Sequence, residues 1–177
     1  MLSSMTCDEG FGESFWHVFC SPALTAGKTW WVGLRRLSIS GSGSIPPLDV
    51  QVFRGKVTLI RWWTDGCSLC SATAPALRKL RQKYAVRSFQ VIGVYHPKPP
   101  GDVDLERVQR AAAELGFTFP VAVDADWKAL RRWWLDQGRR DWTSVSFVID
   151  KRGVIRYVHR GGEFHEGEHA SCRRDYR

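Results

Sequence analysis

The stretch that most constrains this chain runs from Val57 to Tyr84. An apolar run, Val57-Thr58-Leu59-Ile60-Arg61-Trp62-Trp63, is followed by Thr64-Asp65-Gly66 and then by Cys67-Ser68-Leu69-Cys70. From there the period changes. Leu69, Thr73, Leu77, Leu80 and Tyr84 recur at steps of three and four, which predicts a helix laying one apolar face on a core. A strand feeding a helix through a short turn puts the cysteines at the helix start, where unpaired N–H groups and the helix dipole stabilise a thiolate. Cys70 lies one turn further on the same face, so it can reach Cys67 and close a small disulfide ring with little backbone movement.

A C-x-x-C has three meanings: a redox pair, half of a zinc site, or coincidence. Zinc needs two more ligands. His165, His169 and Cys172 have the spacing, but they sit in a polar tail, and structural zinc sites usually bring a second tight pair. The strand before the cysteines and the helix after them favour redox chemistry.

Strand, turn, C-x-x-C and then Ala74-Pro75, with the proline five residues past the second cysteine, together resemble the thioredoxin superfamily. Gly55-Lys56-Val57, Asp124 at a strand end and Phe147-Val148-Ile149-Asp150-Lys151-Arg152-Gly153 extend the likeness toward its TlpA/ResA-type thiol-disulfide oxidoreductases, over Ile45 to Phe164. The resemblance implies an α/β, thioredoxin-like three-layer fold: a central mixed sheet with helices on both faces, a helix–strand insertion and a C-terminal β-hairpin. It also implies thiol-disulfide exchange in which Cys67 attacks and Cys70 resolves, with no cofactor and no metal. Substrate would dock against Gly66 and the loop Thr143-Ser144-Val145. The implied partners are a protein disulfide or dithiol and an electron donor or acceptor.

Four positions depart from that pattern. Gly66 stands where the family usually has Trp, Arg61 where it has a buried Asp or Asn, Thr73 where some ResA-like proteins have Glu, and Ser144 where members carry a cis-proline. The bond before Ser144 is expected to be trans, because cis costs ~3 kcal/mol without proline. The usual carboxylate proton shuttles are therefore missing. Asp65 is the nearest acidic candidate, with helix capping as its plainer role. Thr64-x-x-Cys67 together with Arg61 also resembles the T-x-x-C of peroxiredoxins, although the proline opening that motif would fall at Ile60. Thr64, Asp65 and Arg61 are thus auxiliary candidates, and a thiol peroxidase is the second reading. A redox-inactive thioredoxin-fold interaction domain is the third. His96 and His159 read as structural or surface residues.

A chain of 177 residues with 44% hydrophobic content suits one domain with an appendage. Its boundaries are read as 1–44, an N-terminal extension ending in the linker Ser40-Gly41-Ser42-Gly43-Ser44; 45–164, the thioredoxin-like domain; and 165–177, a polar tail. The tail has almost no apolar stripe, so the last helix of the fold is expected to be absent or replaced, leaving a disordered tail, an uncovered patch and self-association. The net charge of +8 is spread over helix exteriors rather than interleaved with exposed aromatics, which argues against a nucleic-acid partner. Trp62, Trp127, Trp133 and Trp134 fall where periodicity points inward. Five cysteines match no disulfide framework.

Residues 1–20 lack a basic start and an unbroken apolar core, which reads as cytoplasmic, whereas the resembling branch mostly works outside the cytoplasm; both readings stay open. No run approaches the ~20 apolar residues of a membrane span. Thr29–Ile39 reads as an added strand or hairpin arm. Further strands are expected at Phe89–Tyr95, Val121–Asp124, Val145–Ile149 and Val154–His159. One helix is expected to be capped by Asp102 and stopped at Gly116, its apolar stripe Leu105, Val108, Ala112 and Leu115. Another is expected to be capped by Asp126 and to run to Gly138.

Overall fold

The computed structural model describes residues 35–37 and 54–162. Six strands form one sheet in the order β1-β4-β3-β2-β5-β6. They are β1 (Arg35–Leu37), β2 (Val57–Trp63), β3 (Phe89–Tyr95), β4 (Val121–Val123), β5 (Ser146–Ile149) and β6 (Ile155–His159). The two continuous apolar runs of the sequence, β2 and β3, occupy the centre, because only central strands are covered on both faces. They pair in parallel with Trp63 opposite Tyr95, and β3 pairs in parallel with β4. β5 runs antiparallel to β2, β6 antiparallel to β5, and β1 antiparallel to β4.

Alternation along β2 sends its side chains to two different cores. Leu59 and Trp63 pack with Cys70 and Leu77 of α1 (Ser68–Lys83) and with Val108 and Ala112 of α2 (Leu105–Glu114). Ile60 and Trp62 pack on the opposite face against Leu130 and Trp133 of α3 (Lys128–Trp133) and against Phe147. Helices therefore cover both faces of the mixed sheet, as the resemblance implied. Three of the four tryptophans expected inside, Trp62, Trp133 and Trp134, are buried there, with Trp127 packed at the edge of the same cluster. Gly93, opposite Arg61, keeps the space beside it for an indole: a Cβ on Gly93 would lie 3.0 Å from Nε1 of Trp63.

Both helix starts differ from expectation. α2 is capped by Asp104, not Asp102: one carboxylate oxygen of Asp104 accepts from the amides of Glu106 and Arg107 at 3.0 and 3.2 Å. Asp102 and Asp104 are equally good caps, and tertiary packing of Val108 and Ala112 chooses between them. The helix consequently begins at Leu105, whose side chain turns away from the core and is 45% exposed. Its end is as expected, with Gly116 at φ +66°. Of the α3 amides, Asp126 receives only that of Lys128, whose ammonium it also pairs with, while the buried carboxylate of Asp124 accepts from Ala129 and Leu130 at 3.1 and 2.7 Å. The helix yields to a 3₁₀ turn (Leu135–Gln137) before Gly138.

The stretch read as an added strand contains β1 at the sheet edge, and the rest of Thr29–Ile39 lies outside the described residues. So do the Gly/Ser linker, the 165–177 tail with its expected disorder, and the zinc candidates His165, His169 and Cys172.

Candidate active site

β2 delivers the chain to the cysteines through a turn in which Gly66 has φ +66°. Nothing lies within 4 Å of where its Cβ would be, so the backbone conformation alone calls for glycine. Cys67 is the N-cap of α1, and its Sγ accepts from the amide of Cys70 at 3.3 Å. Asp65, read as the plainer capping candidate, is not the cap. A sulfur in that position receives one of the four N–H groups that a helix start leaves unpaired. Both thiols are free; Cys67 is half-buried and Cys70 is 3% exposed. Burial, with the hydrogen bond to Cys67 adding to it, pushes the Cys70 thiol up to about 11, against the pull of the Thr64 backbone and the Arg61 charge. The pair is thus asymmetric: one sulfur reachable and held by a helix terminus, the other enclosed.

A groove of about 690 Å³ opens beside Cys67. Thr64, Asp65, Gly66 and Tyr95 line it with the proline-rich segment 97–104 and Arg107. Asp65 organises this wall. One of its oxygens accepts from the Tyr95 hydroxyl at 2.7 Å and from the Thr64 hydroxyl at 3.4 Å, and the other accepts from Arg107 at 2.6 Å. Burial alone would raise the Asp65 pKa, but the Tyr95 and Arg107 hydrogen bonds outweigh it and hold the carboxyl below the usual range. Burial and the Asp65 carboxylate push the Tyr95 hydroxyl up to about 12. Asp65 is therefore an ionised groove residue with its lone pairs occupied. With Arg107 68% exposed, the pair orients the wall more than it stabilises the fold.

The other candidates are spread around this centre. Arg61 lies behind the cysteines, 1% exposed, with Thr73 and Ser146 as neighbours. Thr143 is half-buried and Ser144 and Val145 are buried. The carbonyl of Val145 accepts from the Trp62 amide at 2.9 Å, so that group is already used within the fold. None of these three lines the groove, whose far wall is the 97–104 segment instead. The bond before Ser144 is trans, and among the described residues the cis peptide is Lys98–Pro99. His96 is buried, with Nδ1 2.9 Å from the Trp63 carbonyl, as the structural reading expected. Sequence reasoning missed Tyr95 and Arg107. Tyr95 was findable as the last residue of the strand beside β2, whereas Arg107 enters only because α2 packs next to α1.

The Redoxin family matches residues 43–174 of the chain. The thiol-disulfide oxidoreductase YkuV of Bacillus subtilis is 30% identical over 141 residues, covering 80% of this chain and 83% of that protein. Protein DipZ of Mycobacterium tuberculosis is 30% identical over 123 residues, which are 70% of this chain and 16% of DipZ, so the chain spans a small part of that relative. Among solved structures, a thiol-disulfide isomerase from Corynebacterium glutamicum superposes with a TM-score of 0.58 at 24% identity, covering 72% of this chain and 82% of its own, which shows a shared fold. The matched span contains the central strand, the cysteine pair and the helix they open, and on that ground the chain belongs to the Redoxin family, in the ResA/TlpA-like part of the thioredoxin superfamily.

Proposed function

We propose that this chain is a thiol-disulfide oxidoreductase in which Cys67 attacks and Cys70 resolves. The observation that carries the reading is the asymmetry of the pair: Cys67 Sγ caps the helix and lines the groove, while Cys70 is buried one turn behind it. The Cys67 thiolate attacks one sulfur of a substrate disulfide, forming a mixed disulfide and expelling a thiolate that takes up a proton. Cys70, having released its own proton, then attacks Cys67 Sγ. The Cys67–Cys70 bond forms, the second substrate thiolate leaves, and two electrons have passed from the pair to the substrate. The same steps run backwards oxidise a dithiol.

The groove suits an extended peptide: Gly66 leaves its floor open, and the 97–104 segment and the Asp65–Tyr95–Arg107 wall flank the reactive sulfur. Protein disulfides or dithiols are the substrate class this supports, with Gly66 as a candidate contact in the groove and the 143–145 loop, which lies outside it, as a candidate contact beyond the groove. The redox unit is assigned to residues 45–164.

The test is trapping. Cys70→Ser should accumulate a mixed disulfide with a disulfide-bonded peptide, detected by mass, and Cys67→Ser should accumulate none. An adduct carried by Cys70 refutes the assignment of roles. Peroxide consumption by Cys67 that is indifferent to Cys70 moves the protein to the peroxidase class, and an unreactive pair leaves an interaction domain.

A further inference from the structure

Behind the two cysteines the sheet presents a charge. Arg61 sits on β2 between Leu59 and Trp63, positions that face α1, and it is 1% exposed. Among the described residues its hydrogen-bond partners are all neutral. One terminal nitrogen donates to Ser146 Oγ at 3.2 Å, and the other to the Gly162 carbonyl at 2.9 Å and to Thr73 Oγ1 at 3.5 Å. Thr73 follows Cys70 by three residues on the same face of α1, and its hydroxyl donates to the Leu69 carbonyl at 2.8 Å while its oxygen accepts from Arg61. The buried Nε of Arg61 has no partner.

Among the described residues no carboxylate pairs with this guanidinium. Burial works against its charge, yet arginine does not surrender its proton in a protein. A cation enclosed without a counter-anion is costly, so its retention calls for a compensating partner. A Cys70 thiolate supplies one at the moment exchange forms it. Cys70 and Cys67 both lie within electrostatic reach of Arg61 from α1, and the remaining titratable group that senses it, His96 at the end of β3, is held neutral by burial. Asp65 is not available behind Cys70, since Tyr95, Thr64 and Arg107 occupy its oxygens.

We propose that Arg61 is a positioning residue for the exchange reaction: a fixed, buried counter-cation for the Cys70 thiolate, standing where a proton-transferring carboxylate would otherwise act. The inference rests on the reading that Cys67 attacks and Cys70 resolves. When Cys70 attacks the Cys67 mixed disulfide, negative charge on its sulfur moves into the new Cys67–Cys70 bond as the substrate thiolate departs. When a substrate thiolate opens the Cys67–Cys70 disulfide, Cys70 is the leaving group and receives that charge. One cation therefore serves both directions.

The test reads the two steps separately in the full chain, with Cys7, Cys20 and Cys172 changed to Ser so that only the pair reacts. With 5,5′-dithiobis(2-nitrobenzoate), attack by Cys67 releases one coloured thiolate and resolution by Cys70 releases a second. Relative to the parent, Arg61→Met and Arg61→Gln should slow the second phase by about tenfold or more, with a smaller effect on the first, while Arg61→Lys restores most of the rate. The thermal midpoint of Arg61→Met should hold or rise, the opposite of what a purely structural arginine gives. If Arg61→Met does not fold, Arg61→Gln against Arg61→Lys makes the same comparison. Equal second-phase rates in the neutral and lysine variants overturn the role of Arg61 alone. A parent releasing a single thiolate, as Cys70→Ser must, overturns the reading of the pair and this inference with it.

Discussion

The indole N–H of Trp62, on the central strand, donates to the carboxylate of Asp124 across 3.3 Å, and that carboxylate also receives the second and third amides of α3. One buried acid at the end of β4 thus ties the strand that leads into the cysteines to the helix on the far face of the sheet. Burial raises its pKa against the opposing pull of the Leu130 and Ala129 amides.

Asp124→Ala leaves three buried donors without an acceptor, each costing roughly 1–3 kcal/mol. The expected loss in urea unfolding is about 3 kcal/mol or more, since α3 is only six residues long and cannot hold its shape unaided. Asp124→Asn keeps one acceptor oxygen and should fall between parent and alanine. Equal stability of all three proteins would show that α3 is capped by other means.

His96 makes stability depend on pH. Burial, aided by the Lys98 charge, lowers its pKa to about 4 in the folded chain, whereas an unfolded histidine titrates near ~6.5. Between those values the unfolded chain binds a proton that the native one refuses, so stability falls as the pH drops through that window. The full contribution, on the order of 3 kcal/mol, is present above about pH 6.5 and gone below about pH 4. His96→Phe keeps a ring to set against Trp127, 5.4 Å away, and should flatten the stability curve over that range. Superimposable curves for parent and variant would contradict the assignment.

Trp63 and Trp62 should report differently on the redox state. Trp63 shares a core with Cys70, while Trp62 lies in the opposite one. Reduction of the pair should change emission mainly through Trp63: Trp63→Phe should abolish most of the redox-dependent change, and Trp62→Phe should preserve it. The reverse pattern would place the wrong face of β2 under the cysteines.

Much of this fold is legible locally. The switch from an unbroken apolar run to a period of three and four marks β2 and α1 because side-chain direction follows from backbone geometry within a few residues. Gly116 ends α2 because the left-handed conformation there suits glycine almost alone. Cys67 and Cys70 sit three apart at a helix start, and that spacing by itself determined which sulfur is reachable. The residues around them are another matter. Asp65 was legible as a helix cap and is instead bound to Arg107, 42 residues away; Asp126 was a better local cap for α3 than Asp124, which gains its place by also meeting Trp62, 62 residues away. Arginine is rarely buried, and Arg61 is buried because β2 is central, with Ser146 set beside it from 85 residues downstream. A short polar side chain has several acceptable local partners of nearly equal free energy, and only the packing of strands and helices distant in sequence selects among them. Short-range periodicity therefore determined the elements and the reactive pair, while the tertiary structure decided the charges that surround it.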